Sequence, residues 1–183
     1  MVIDANGLGI GLVDYMIKSQ IDPDTSDTLP DFGVYNDDEL YYKKYKTNAT
    51  ELDALYLIKA NAPINTEAHT IAQSSLASGK IKFLIDERVA KQKLLGTRVG
   101  QNMKPEERAE YLKPFTLTSI LKEEMMNLRE ENEGVNIILK QANRGIRKDK
   151  FSAFEYGLYY IKQEEDSKKR KRKFNVKDFM FLS

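Results

Sequence analysis

Cysteine and tryptophan are absent from the 183 residues, and histidine occurs once. Without cysteine there is no disulfide, thiolate zinc site, iron–sulfur cluster or thiol nucleophile, a composition that suits a reducing compartment. One imidazole cannot build a two-histidine metal site. A catalytic metal would need carboxylates and other oxygens, the ligands of Mg²⁺, Mn²⁺ or Ca²⁺. Long apolar runs are also missing: no stretch approaches ~18 uncharged apolar residues, and the opening run is too short and too early for a signal peptide. The sequence reads as intracellular, with no membrane partner. Neither charge sign dominates, with 29 Lys+Arg against 28 Asp+Glu, so local segments rather than the net charge must reveal partners. What is present is a 41% hydrophobic fraction with ten Tyr and eight Phe, enough for a core and for one domain at roughly 150 residues each.

Val2-Ile3-Asp4 is a short apolar run ending in a carboxylate and a turn, and the spacing of Leu8, Leu12, Tyr15 and Met16, widened by Ile10, Val13 and Ile17, predicts a helix over 8–18 buried on much of its circumference. Ile21–Pro30, with two Pro and three Asp, has a loop composition. A polar stretch with Tyr41, Tyr42 and Tyr45 precedes a predicted strand at Ala54–Ala60. A helix over 66–78 follows, with Thr66 as its N-cap and Gly79 as its stop. A third strand is predicted at Lys80–Asp86, then a short helix from Glu87 to Gly96 and a flexible piece marked by Gly100, Pro105 and Pro114. Thr118–Asn132 reads as an amphipathic helix, Val135–Lys140 as a strand and Asp149–Gln163 as a helix striped by Phe151, Phe154, Leu158 and Ile161. The whole is an α/β mixture. Residues 1–166 form the expected domain and 167–183 a tail, in which six consecutive bases from Lys168 to Lys173 precede Phe174, Val176 and Phe179–Leu182. That run is either a solvated tail or a phosphate-binding patch.

Two carboxylates stand out. Asp4, at the carboxyl end of an expected interior strand, occupies the position where α/β folds place their sites, or else caps the following turn. Asp149 opens a helix beside Arg144, Arg147, Lys148 and Lys150. It is either a plain N-cap or a metal ligand next to a polyanion, with the bases holding phosphates. Gly7-Leu8-Gly9-Ile10-Gly11 invites a nucleotide reading, but the spacing is not G-x-G-x-x-G and no Walker-type Gly-Lys-Ser/Thr occurs. Tight packing of helix on sheet explains Gly9 and Gly11. Asp14 is expected to face solvent or end a salt link, and His69, with no second imidazole, to be structural or exposed rather than a general base.

The segments Val2–Tyr15, Leu55–Asn61, Ser78–Ile85 and Lys148–Gly157 together resemble the nuclease domain of tailed-phage large terminase subunits, over about Val2 to Lys162. The resemblance implies an RNase H-like mixed sheet flanked by helices and cleavage of double-stranded DNA concatemers in the cytoplasm of a bacterial host. It also implies two Mg²⁺ or Mn²⁺ ions held by three acids. Asp4 matches the second acid and Asp149 the third. The first acid, its strand and the ATPase segment have no counterpart here, so the expectation is a domain incomplete at its N-terminus. Implied partners are the upstream ATPase segment, the portal and the small terminase subunit. Two carboxylates cannot balance the four positive charges of two ions, so this chain alone is expected to be a weak or inactive nuclease. The alternative is a non-catalytic DNA-binding or packaging-motor interaction module.

Overall fold

The computed structural model describes residues 1–29, 31–36 and 53–173, the side chains of 170–173 excepted. It is a mixed α/β chain that divides into two compact units, Met1–Ala68 with Tyr156–Ser183, and His69–Glu155.

The first unit is built on parallel pairing. Strand β1 (Val2–Asp4) leads through a turn into α1 (Leu8–Met16), then a minimal hairpin of β2 (Gln20–Ile21) and β3 (Thr28–Leu29), then β4 (Gly33–Val34) and β5 (Asp53–Ile58). The loop expected over 21–30 is thus closed by two-residue strands, with Asp22 accepting the backbone N–H groups of Asp24 and Thr25 as an Asx turn does. The three-stranded sheet has the order β1-β5-β4, with Val2 opposite Tyr56 and Asp4 opposite Ile58. Among the described residues β1 is therefore an edge strand rather than an interior one, because only β5 pairs with it. Alternation puts Ile3 and, from β5, Leu55 and Leu57 into a core with Ala5, Val13, Ile17 and Val34. Burying these side chains, at roughly 25 cal/mol per Å² of apolar surface, is what holds α1 to the sheet. Tyr56 lies on the Tyr160 ring at 4.7 Å between centroids.

Helix α2 (Ala62–Ala77) starts four residues before the expected position. Its cap is Asn61, whose Oδ1 accepts the Ile64 N–H at 2.9 Å, with Pro63 in the first turn, where a missing N–H costs nothing. Thr66 instead turns its hydroxyl back to the Ala62 carbonyl within the helix. Gly79 ends α2 as expected, at φ +67°.

In the second unit, residues 80–86 form no strand. Burial alternates only as far as Leu84, with Ile81 and Phe83 turned inward, and side chains rather than a ladder hold the segment: Phe83 packs on Phe154 at 5.9 Å, and Lys122 donates to the Leu84 carbonyl. Asp86 caps α3 (Glu87–Leu95) by accepting the Arg88 N–H, and Thr97 caps α4 (Arg98–Asn102) through the Gly100 N–H. The piece expected to be flexible is helical. Pro105 takes the N1 position of α5 (Pro105–Met126), and Pro114 sits inside it. The carbonyl that Pro114 leaves without a helical donor belongs to exposed Glu110, where water can serve it. Ala90, Leu94 and Leu112 make the core of these helices.

The expected helix over 118–132 ends at Met126, and Leu128–Glu133 is strand β6, paired antiparallel with β7 (Asn136–Gln141) around Gly134 at φ +63°. Buried Asn127 ends the helix. Its side chain both donates to the Asn143 carbonyl and accepts the Asn143 N–H, binding the exit of the hairpin to its entrance. Helix α6 runs from Asp149 to Lys173, ten residues beyond the expected end, and returns to the first unit at Tyr156. Two i,i+4 pairs, Lys162–Asp166 and Lys168–Glu164, support the extension. Tyr41, Tyr42, Tyr45 and the apolar residues from Phe174 onward lie outside the described residues.

Candidate functional site

Asp4 closes β1 and is exposed. Its Oδ1 accepts the Asn6 N–H at 3.1 Å, and Asn6 in turn donates its side-chain amide to the Ala60 carbonyl at 2.9 Å. The turn is therefore tied to the end of β5. Gly7 takes φ +55° just before α1, a conformation side chains resist. Gly9 is needed for a different reason: a Cβ there would lie 1.7 Å from the Asp4 carbonyl oxygen, so the helix rests directly on the strand. Gly11 has nothing within 4 Å of such an atom, so the packing explanation holds for Gly9 and fails for Gly11. Asp4 thus takes the turn-capping role, on an exposed carboxylate at the carboxyl end of a parallel strand that lies at the sheet edge rather than in its interior among the described residues.

Asp149 is the first residue of α6, in the second unit, with its side chain 73% exposed and Arg147 at 3.9 Å. Its N-cap role is not seen. The acceptor at this helix start is Glu124 of α5, only 2% exposed, whose Oε2 takes the Phe151 N–H at 2.9 Å while Lys150 lies 3.7 Å from Oε1. A buried carboxylate on the positive end of a helix satisfies both the backbone donor and the dipole. Lys150 is accordingly half-buried against Glu124, whereas Arg144, Arg147 and Lys148 are exposed. Lys168 and Lys169 are exposed on α6, within reach of Glu164 and Asp166.

Divalent ions of the Mg²⁺ class require several oxygens around one point. Among the described residues no group of three or more acidic or histidine side chains gathers to hold one. Asp4 and Asp149 are chemically suited ligands, but among the described residues neither is surrounded by the further carboxylates that a closed centre needs.

A partly enclosed polar cluster contains a residue expected to be structural or exposed. His69 is buried on α2 with both ring nitrogens engaged: Nδ1 lies 2.6 Å from Glu155 Oε1 on α6, and Nε2 lies 3.0 Å from Glu130 Oε1 on β6. Gln73, one turn further along α2, donates to the same Glu130 oxygen. The Phe151 ring meets the imidazole edge-on at 6.1 Å. The hydrogen bond to Glu155 raises the His69 pKa above its usual value, against the opposing effect of burial, and Glu130 adds to the rise. Of the two expected alternatives His69 is the buried one, and it links α2, β6 and the start of α6 through charge. The sequence signals for this cluster are weak, because its carboxylates stand 61 and 86 residues from the histidine.

No protein-family model, curated protein or solved structure matches the chain. Among the described residues no helix is long and apolar enough to cross a membrane.

Proposed function

We propose that this chain is part of a metal-dependent DNA endonuclease of the tailed-phage large terminase type, with an RNase H-like fold, acting on double-stranded DNA. Asp4 and Asp149 would each hold Mg²⁺ or Mn²⁺, with DNA phosphate and a further carboxylate completing the ligand set. The ions would polarise phosphate oxygens and activate water. The observation that carries the reading is Asp4 itself, an exposed carboxylate at the carboxyl end of a parallel strand, whose backbone is held against α1 at Gly9. Exposed Asp149 at the start of α6, amid Arg144, Arg147 and Lys148, supports it further. The test is paramagnetic broadening. Mn²⁺ added with a DNA duplex should broaden the amide signals of Asn6–Gly7 and of Lys148–Phe151, and Asp4→Asn or Asp149→Asn should each remove the effect at its own position. Unbroadened spectra, or broadening that survives both substitutions, would overturn the reading.

A second reading, a non-catalytic DNA-binding module, is favoured by the lack of a three-ligand acidic group among the described residues. Exposed Arg144, Arg147 and Lys148 would then bind phosphates alone, each neutral substitution lowering the salt dependence of duplex binding by about one unit. Lys150, drawn to Glu124, would contribute less. Salt-dependent duplex binding with no response to Mn²⁺ would decide for this reading over the first.

A further inference from the structure

A half-open cavity of about 150 Å³ adjoins the His69–Glu130 contact, entirely within the second unit. Strand register builds it. Glu130 stands directly opposite Leu139 across the hairpin, and Leu128 lies two residues back on the same face. Leu76 of α2, Met125 at the end of α5 and Phe151 of α6 complete the apolar wall. About 150 Å³ is the volume of an engineered apolar cavity that admits benzene, so the space suits one ring or a compact chain of similar size.

The polar end is anionic. With His69 protonated, Glu130, Glu155 and His69 sum to one negative charge, and Glu155 lies buried against His69. Both His69 and Gln73 address Glu130 Oε1. The other Glu130 oxygen has no protein donor among the described residues, and the side chain is 49% exposed. The cations closest in sequence lie elsewhere: Arg129 and Lys140 oppose each other on the other face of the hairpin, where Lys140 pairs with Glu131, and Lys150 lies by Glu124.

We infer that this cavity binds a small organic cation, an ammonium on a single-ring apolar body, with the charge on Glu130 and the ring against Leu139, Met125 and Phe151. Benzylamine, benzyl alcohol and benzoate, titrated into the full chain at pH 7 and followed by amide chemical shifts, distinguish the possibilities. Benzylamine should give saturable shifts at Gln73, Glu130 and Leu139, bind about tenfold or more tightly than benzyl alcohol, and exceed benzoate by a wider margin. Glu130→Gln should remove the preference for the amine, and Leu139→Trp should fill the cavity and abolish binding of both the amine and the alcohol. Equal binding of amine and alcohol by the native chain would show an apolar cavity only. That result, a preference unaltered in a folded Glu130→Gln protein, or no saturable shift with benzylamine would overturn the inference. The native-chain comparison decides the matter even if a variant fails to fold.

Discussion

His69 Nδ1 lies 2.6 Å from Glu155 Oε1, with both side chains only 8% exposed. A neutral imidazole carries one N–H, yet His69 has a carboxylate at each nitrogen, so only the doubly protonated ring can donate to both. The folded state therefore holds the His69 proton more tightly than the unfolded chain does. A raised folded pKa stabilises fully below the unfolded value near 6.5, and that contribution declines as pH rises through the folded value. At pH 6, His69→Gln should cost about 3 kcal/mol, the scale for breaking a buried pair. The gap between native and variant stabilities in urea unfolding should narrow toward pH 9. A gap constant across that range would remove the proton from the account.

The two glycines of α1 should respond in opposite directions. Gly9→Ala drives a methyl into the Asp4 carbonyl and should destabilise by about 3 kcal/mol or more, since strand and helix must separate to admit it. Gly11→Ala adds a methyl to open space on an exposed helical position and should stabilise by about 0.5–1 kcal/mol. Thermal or denaturant unfolding of the two variants checks both signs.

Glu124 supplies the acceptor at the start of α6. Glu124→Leu leaves the Phe151 N–H without its partner and Lys150 without its counter-charge, and should cost about 3 kcal/mol. Glu124→Gln retains an acceptor oxygen and should cost about half as much. Amide exchange at Phe151 offers a local check: it should accelerate strongly with Leu and modestly with Gln. Equal acceleration in the two variants would mean that the hydrogen bond is not what holds the helix start.

Much of the local structure was legible because it rests on periodicity and punctuation. Val2–Asp4, α1, β5, α3 and β7 lie where the pattern puts them, although α1 buries Val13 and leaves Leu8, Ile10, Leu12 and Tyr15 exposed instead of burying much of its circumference, and Gly79 and Gly96 close their helices. The misreadings have physical causes. Lys80–Asp86 has a strand's alternation, but a strand also requires a partner ladder, which pattern alone does not supply. Pro105 and Pro114 read as breaks, yet one begins α5 and the other leaves its orphaned carbonyl at an exposed residue. Thr66 and Asn61 are both acceptable caps by type, and Pro63 favours the earlier one because it fits a first turn. Of the candidate site, Asp4 and Asp149 were visible as residues, and both carboxylates are exposed. The commitment of Lys150 to Glu124, and the pairing of His69 with distant glutamates, depend on tertiary contacts that local pattern does not encode.

Contact between the second residue of α1 and the last carbonyl of β1 leaves Asp4 with very little rotational freedom in its backbone. The point from which that carboxylate swings is therefore set by the helix, so moving it to suit a different ion or phosphate spacing would mean shifting the helix and its core contacts as one block. Variation in this region should accordingly accumulate on the outer surface of α1, where Leu8, Leu12 and Tyr15 are exposed, and spare the corner beneath it.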